Sequence, residues 1–240
     1  MKIKPSFFLL ISVVAFASCV NSQNTNGGNS AAQTQTRNVS NFTAVSLEIP
    51  AEVTLSQGDF HVEINASPSV LEKIKTEVHG EKLEIKFDNW LHTHVDEPIS
   101  VQITMPSITA LEVNGSGNIF SKSDFSGDHL RLEVNGSGKM SLKNFAVTEL
   151  KAEINGSGQI VNLSGTASVA KFEINGSGKI DAENFSGKEV DAAVTGSGNM
   201  KLSATDLLNA DITGSGDIRY KGVPAKKNVD ITGSGSVSAL

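Results

Sequence analysis

A six-residue pattern recurs seven times in the second half of the chain, and it restricts the fold more than any other feature. An acidic residue or alanine is followed by Val or Ile, then by Asn or Thr, and then by Gly-Ser-Gly. Successive copies start 18 to 21 residues apart. Such a period is typical of repeat proteins, in which each unit buries its apolar face against its neighbours. The first glycines of the copies are Gly115, Gly136, Gly156, Gly176, Gly196, Gly214 and Gly233.

Each copy sits in a segment where apolar and polar residues alternate. Leu130, Leu132 and Val134 occupy even positions together with Gly136 and Gly138, and polar residues occupy the odd positions. Period-two alternation predicts a strand with one buried face. Both glycines would then lie on the inward face, where a missing side chain and access to φ > 0 suit a sharp corner. The seven first glycines are therefore the predicted corners of the repeat.

Two folds can use this unit. In a β-solenoid each copy forms one turn, and equivalent residues stack at about 4.8 Å. In a meander, Asn-Gly would form a tight hairpin turn. The last three copies replace Asn by Thr195, Thr213 and Thr232. Because a β-branched residue is poor at φ > 0 but good in a strand, the substitutions favour the solenoid.

In a solenoid, equivalent side chains would align in ladders. Asparagines would form one, with hydrogen bonds along the stack, and the three threonines would continue it. Stacked glutamates could recruit Ca²⁺, but nearby Arg131, Lys151 and Lys171 offset their charge, so we prefer a solvated strand face. Phe125, Phe145 and Phe185 would stack at another corner. The predicted ladders are Asn114, Asn135, Asn155 and Asn175, and Glu112, Glu133, Glu153 and Glu173.

Residues 37–106 form a second, non-repetitive region that also reads as strands. Segments such as 82–87 and 99–105 alternate cleanly, and one short helix is expected at 69–74 with Ser67 or Ser69 as its cap. The predicted fold is therefore all-β, with a repeat solenoid over 107–240 and an N-terminal strand-rich region packed on it.

The first nineteen residues resemble a bacterial lipoprotein signal. A short basic start precedes an apolar run from Phe7 to Phe16, and two small residues lead to Cys19, the only cysteine. The resemblance implies that residues 1–18 are removed and that acyl chains on Cys19 anchor the protein to a membrane. An ordinary signal peptide with an unrelated cysteine is the alternative. The polar segment 19–36 is low in complexity and predicts a disordered tether.

One segment, 88–97, breaks the strand pattern. His92 and His94 would share a strand face, followed by Asp96, and such a set can bind a transition metal. An exposed polar loop is the preferred interpretation. Trp90, the only tryptophan, would either cover the core or form a stacking surface for a sugar. Trp90, His92 and His94 are therefore the candidate ligand contacts.

Composition and motifs exclude several functions. The net charge of −6 argues against nucleic-acid binding, which depends on Lys and Arg. A phosphate-binding loop needs Gly-Lys-Ser/Thr at the start of a helix, and no helix is expected after Gly-Ser-Gly in this chain. The sequence offers no nucleophile–base–acid set and no paired carboxylates outside the repeat. We therefore predict no enzymatic activity, no catalytic residue, no metal and no cofactor.

The repeated Glu-Val/Ile-Asn-Gly-Ser-Gly, with the upstream segments 37–42 and 53–58, resembles the bacterial head GIN domain family. The resemblance covers about residues 37–240 and implies a β-helix-like solenoid and an adhesin-like role, without catalytic residues. Together with the lipoprotein signal, it predicts a cell-envelope lipoprotein of the outer membrane, on either its surface or its periplasmic face, that binds a surface glycan or protein. One alternative is an envelope assembly module that forms homo-oligomers through its solenoid edges. The other is a polysaccharide-active β-helix enzyme.

Overall fold

The structure is a computed structural model that describes residues 31–89, 95 and 97–240. Residues from Ala31 to Leu240 form one compact unit. The predicted signal peptide 1–18 and the lipidation site Cys19 lie outside the described residues, as do Trp90, His92 and His94. The predictions for these positions therefore remain predictions.

Most of the described residues lie in strands, and the one helix among them is the short α1 (Pro68–Leu71). The strands are β1 (Gln33–Arg37), β2 (Ala44–Leu47), β3 (Ala51–Gln57), β4 (His61–Ala66), β5 (Ile74–His79), β6 (Lys82–Phe87), β7 (Ile99–Met105), β8 (Ala110–Gly115), β9 (Asn118–Ser121), β10 (Phe125–Gly136), β11 (Lys139–Ser141), β12 (Phe145–Gly156), β13 (Gln159–Val161), β14 (Ser164–Gly176), β15 (Lys179–Gly196), β16 (Asn199–Gly214), β17 (Asp217–Lys221), β18 (Lys226–Gly233) and β19 (Ser236–Ala239).

The repeat copies stack as turns of a β-solenoid, which confirms the predicted fold. We call each turn a rung. The strands before the Gly-Ser-Gly corners pair in parallel along one wall, from β8 through β10, β12 and β14 to β18. The short strands after the corners form a second parallel wall from β9 to β19. Because the paired copies run parallel with corner opposite corner, the hairpin meander is wrong.

The first glycine of each copy ends a strand with φ between +121° and +134°, values that L side chains rarely adopt. A Cβ added at Gly136 would lie 2.6 Å from the carbonyl oxygen of Gly115 in the rung below. That carbonyl accepts a 2.9 Å hydrogen bond from the amide of Ser137, and this bond recurs up the stack. The second glycine, such as Gly138, is buried. Both glycines were predicted to face inward, but only the second one faces the core. The backbone turns at the first glycine, and the alternation of inward and outward residues ends there.

The N-terminal region supplies rungs to the same stack, but out of sequence order. Strand β2 pairs in parallel with β6 on one side and β8 on the other, and β3 lies in the same way between β7 and β9. The rung formed first along the chain is therefore second in the stack. The region predicted to pack on the solenoid is part of its column.

Three antiparallel strands and the helix close this end of the column. Strand β4 pairs with β7, β1 pairs with β4, and β5 pairs with β6. Helix α1 connects β4 to β5 and buries Val70 and Leu71. The helix ends three residues earlier than predicted, because Ile74 already starts β5. The last residues of the predicted tether, from Gln33 to Thr36, form β1, since their backbone pairs with the free edge of β4.

The core consists of inward columns of aliphatic side chains, most of them fully buried. Large and small residues alternate along the stack, as where Phe172 lies between Ala152 and Ala192. Phe125 and Phe145 stack with ring centroids 5.7 Å apart, as predicted. Phe185 does not continue the stack, because Gly165 occupies the intervening position. Its ring instead meets Phe172 edge-on at 6.5 Å.

The opposite end of the column is open in the described structure. All eight residues of β18 are exposed, whereas the equivalent inward residues of β16 are buried. Val229 and Ile231, which continue the core columns of Ala210 and Ile212, are 43% and 38% exposed. The last rung therefore presents part of its apolar inner surface to solvent.

Candidate functional surface

The outward side chains of the first wall form two charged columns. In register along the stack, the cation column contains Lys82, Ala44, Ala110, Arg131, Lys151, Lys171, Asp191, Asn209 and Asn228. Two residues further along each strand, the glutamate column contains Glu84, Ser46, Glu112, Glu133, Glu153, Glu173, Ala193, Asp211 and Asp230. Charges of opposite sign thus lie beside each other at Lys82 and in the three central rungs of Arg131, Lys151 and Lys171.

Arg131 and Lys151 each bridge the carboxylates of their own rung and the next, whereas Lys171 pairs, among the described residues, only with Glu173 of its own strand. The Lys151 Nζ lies 2.8 Å from Glu153 and 3.4 Å from Glu173. The Arg131 guanidinium donates to Glu133 and lies 3.9 Å from Glu153. The bridges remove the charge that would attract a cation to stacked carboxylates. The geometry therefore supports the solvated strand face over a Ca²⁺ ladder.

The ion pairs also change the ionisation of the glutamates. A hydrogen bond from Lys151 lowers the pKa of Glu153 below its usual value, against the opposing effect of partial burial. Burial alone would raise the pKa of Glu133, but hydrogen bonds from Arg131 and Asn135 outweigh it, so this pKa is also lowered. Both carboxylates are thus held in the charged form by their neighbours.

The next outward column is the predicted asparagine ladder. Each amide nitrogen donates to the asparagine oxygen of the rung below, at 2.9 Å from Asn135 to Asn114 and 3.0 Å from Asn155 to Asn135. In the first three asparagines the amide also donates to a glutamate of the same strand, as from Asn155 to Glu153 at 3.1 Å. The Asn114 amide reaches Ser46 Oγ at 3.3 Å. These three amides are therefore fixed between a rung neighbour and a strand neighbour, whereas the Asn175 amide donates only to Asn155 among the described residues.

The serines of the corners form the outermost column, and they differ from the asparagines. All seven are exposed. No side-chain hydrogen bond joins their hydroxyls to another described residue, so donor and acceptor capacity faces solvent. The serine column is Ser116, Ser137, Ser157, Ser177, Ser197, Ser215 and Ser234.

The charged columns change character toward the open end. Asp191, Asn209 and Asn228 replace the cations, and Ala193, Asp211 and Asp230 replace the glutamates. Amide contacts continue there: Asn209 Nδ2 donates to Asp191, and Asn228 Nδ2 donates to Asn209 Oδ1 at 2.7 Å. The last rungs are therefore polar and acidic where the central rungs are ion-paired.

Among the described residues outside the repeat, one group has metal-ligand chemistry. Glu77, His79 and Glu84 bring carboxylate oxygens and an imidazole nitrogen within 4.8 Å of one another. Lys86 already occupies this group, since its ammonium lies 3.1 Å from Glu77 and 2.9 Å from Glu84. The two carboxylates raise the pKa of Lys86, which keeps it charged. Lys82 also lies 3.7 Å from Glu84, so the protein itself supplies cations to both carboxylates of the group.

Sequence reasoning missed the N-terminal members of the charged columns. Lys82 lies 3.7 Å from Glu112 and so extends the ion pairs beyond the repeat, past Ala44 in the intervening rung. A signal was present, because the segment from Lys82 to Ile85 reads Lys-Leu-Glu-Ile and matches the Arg-Leu-Glu-Val that starts at Arg131. The candidate contacts Trp90, His92 and His94 cannot be placed on any of these columns, since they lie outside the described residues.

Comparison with known proteins gives the following matches. A family model described as "Putative auto-transporter adhesin, head GIN domain" matches residues 41–224. No curated protein matches significantly. Among the described residues, no helix is long and apolar enough to cross a membrane.

Several solved structures are similar in fold. A "putative adhesin" from Bacteroides fragilis NCTC 9343 has a TM-score of 0.82 at 23% identity, with 87% of this chain and 97% of that chain covered. A "putative lipid binding protein" from Parabacteroides distasonis ATCC 8503 has a TM-score of 0.74 at 25% identity, with coverage of 89% and 98%. A "putative adhesin" from Parabacteroides merdae ATCC 43184 has a TM-score of 0.65 at 26% identity, with the same coverage.

Proposed function

Because the chain belongs to the head GIN domain family, whose model describes auto-transporter adhesins, we propose that it is a non-enzymatic envelope adhesin that binds a surface glycan through its serine column. In this proposal Cys19 carries the lipid anchor in the outer membrane, and the segment after it holds the solenoid away from the membrane. Catalysis has no part in the proposal, since the ordered polar groups of the wall are ion-paired or hydrogen-bonded to each other.

The observation that carries the proposal is the difference between the serine column and its neighbours. The glutamate and asparagine columns use their hydrogen-bonding groups within the wall, whereas the corner hydroxyls point to solvent at one per rung. Rungs repeat at about 4.8 Å, so the column is a rigid row of evenly spaced donors and acceptors. A linear glycan carries hydroxyls at regular short intervals and fits such a row.

Rigidity also favours binding. The corner backbone is fixed by hydrogen bonds between each serine amide and the glycine carbonyl of the preceding rung, as from Ser157 to Gly136 at 2.9 Å. A ligand that binds there orders little of the protein, which limits the entropic cost of association. Individual contacts to exposed hydroxyls are weak, so affinity depends on several rungs acting together.

Binding of the purified full chain to a glycan array tests the proposal. We expect a subset of linear glycans to bind, and we expect the double variant Ser137→Gln and Ser177→Gln to lose most of that binding because the longer side chains break the row. Ser126→Gln with Ser186→Gln is the matched control, since these serines are equally exposed on another part of the rungs. Equal loss in both double variants would place the binding site elsewhere.

The two other outcomes are also distinct. If the array retains nothing but the chain binds extracellular proteins in a serine-dependent way, the ligand is a protein. If neither binds, the adhesin proposal fails. Protease treatment of intact cells tests the location separately: removal of the chain indicates the outer surface, whereas survival until lysis indicates the periplasm and excludes adhesion.

A further inference from the structure

We propose that the open end of the column is an interface for a second copy of this chain, formed by antiparallel pairing of β18 with β18 of the partner around a two-fold axis at Asn228. The proposal does not depend on what the serine column binds. It starts from the exposed inner surface of the last rung, where Val229 and Ile231 continue buried columns into solvent. Burial of such residues favours association.

The backbone of β18 has hydrogen-bonding groups directed toward the open end. Alternate residues of a parallel strand point their amides to opposite neighbours. In β10, the Arg131 amide bonds back to Thr109 in the preceding rung. Asn228 is in register with Arg131, so its amide also points back, and Lys227, Val229 and Ile231 direct theirs outward. A strand edge of this kind is a template for another strand.

The side chains select a second copy and a register. With two Asn228 residues opposite each other, Lys226 of each copy faces Asp230 of the other, which gives two ion pairs. Shifting the axis to Lys227 opposes two lysines, and shifting it to Asp230 opposes two aspartates. An axis at Val229 gives no ion pair. Charge complementarity therefore favours the axis at Asn228, and it contributes specificity more than affinity.

The asparagine at the axis supports the same arrangement. Asn228 donates one amide proton to Asn209 Oδ1, so its own oxygen and second proton have no partner among the described residues. Two primary amides related by a two-fold axis can each donate and accept. Pairing would thus continue the contact from Asp191 through Asn209 and Asn228 into the second copy.

Head-to-tail growth is not supported by the opposite end. There β1, β4, β5 and α1 lie over the core, and Ile64 and Val62 are completely buried. A contact between two open ends closes after two copies, whereas a head-to-tail contact would continue into a filament. The fold therefore favours a symmetric dimer of end-to-end columns.

Disulfide trapping tests the interface in the full chain with Cys19→Ser. Residues opposite each other in an antiparallel pair have Cα atoms about 4.5–5.5 Å apart, within reach of a disulfide. We expect Asn228→Cys to form a covalent dimer on oxidation. Asn209→Cys is the matched control, because it lies one rung inside in the same column and would be about 14 Å from its equivalent. Equal trapping of both variants, or of neither, overturns the proposal.

Sedimentation equilibrium of the otherwise unsubstituted chain tests the register. Asp230→Lys would place lysines opposite each other twice in the dimer, so we expect dimerisation to weaken by roughly tenfold. Lys226→Asp combined with Asp230→Lys reverses both pairs and should restore it. These residues are exposed, and circular dichroism checks that the variants fold. A double variant as weak as Asp230→Lys, or a wild-type chain that stays monomeric at all concentrations, contradicts the proposal.

Discussion

The two ends of the column differ in how far the apolar inner face of the terminal rung is covered. At the N-terminal end, antiparallel strands and a short helix cover the last parallel rung, and core residues such as Ile64 and Leu83 have no exposed surface. At the other end the repeat continues to β18 with no covering element among the described residues, and Ile231 remains partly exposed. A repeat unit buries its face only against another unit, so a uniform array cannot cover its own last rung. Covering requires residues that depart from the repeat.

The largest expected effect comes from matched truncations of the two ends. Ile64→Ala removes buried methyl groups from a closed core and should lower the free energy of unfolding by about 2–5 kcal/mol. Ile231→Ala should cost about 1 kcal/mol or less in dilute protein, because its side chain is already partly hydrated. Urea unfolding of both variants measures the comparison.

Protein concentration sharpens the same experiment. If a second copy covers the open end, the cost of Ile231→Ala should grow with concentration, whereas that of Ile64→Ala should stay constant. Equal costs of the two substitutions in dilute protein would mean that the two ends of the column are equally covered.

A smaller effect is expected in the amide columns. Asn155→Ala removes a group that donates to Asn135 and Glu153 and accepts from Asn175, and it should cost about 1–3 kcal/mol. Asn228→Ala removes only the contact to Asn209 and should cost about 1 kcal/mol or less in the monomer. Thermal or urea unfolding at low concentration distinguishes them. If Asn228→Ala costs as much as Asn155→Ala, the last rung is held as firmly as the central ones.

The repeat half of the molecule could be predicted from the sequence because its constraints are local. The change from Asn to Thr at 195, 213 and 232 favoured the solenoid over a hairpin turn, and one-to-one stacking in the solenoid predicted the asparagine ladder. Gly165, which interrupts the phenylalanine stack, sits at the same step of twenty residues as Phe145 and Phe185 and was therefore visible in the sequence.

The non-repetitive half could not be predicted in the same way. Alternation identified β6 and β7 as strands but could not show that β2 lies between β6 and β8, because stacking order is decided by tertiary pairing. Strand β1 has a polar sequence typical of a linker, and its backbone pairing with β4 has no signature in its side chains. From the sequence, the corner serines are only part of a polar face. That they differ from the neighbouring asparagines and glutamates depends on side-chain hydrogen bonds and ion pairs, which the sequence does not give.

The smallest expected effect is a pH dependence of the free energy of unfolding that distinguishes the central rungs from the open end. Glu153 has a lowered pKa in the folded state because Lys151 donates to it, whereas an unfolded glutamate titrates near about 4.3. A group of this kind contributes stability above its unfolded pKa, and the contribution disappears as the pH falls through the folded pKa. Glu153→Gln should therefore be less stable than wild type at pH 7, and the difference should shrink below about pH 4.

Asp211→Asn is the control in the same column, because Asp211 makes no ion pair with another described residue. Urea unfolding between pH 3 and pH 7 measures both, and a pH-independent cost of Glu153→Gln would show that its ion pairs do not stabilise the central rungs.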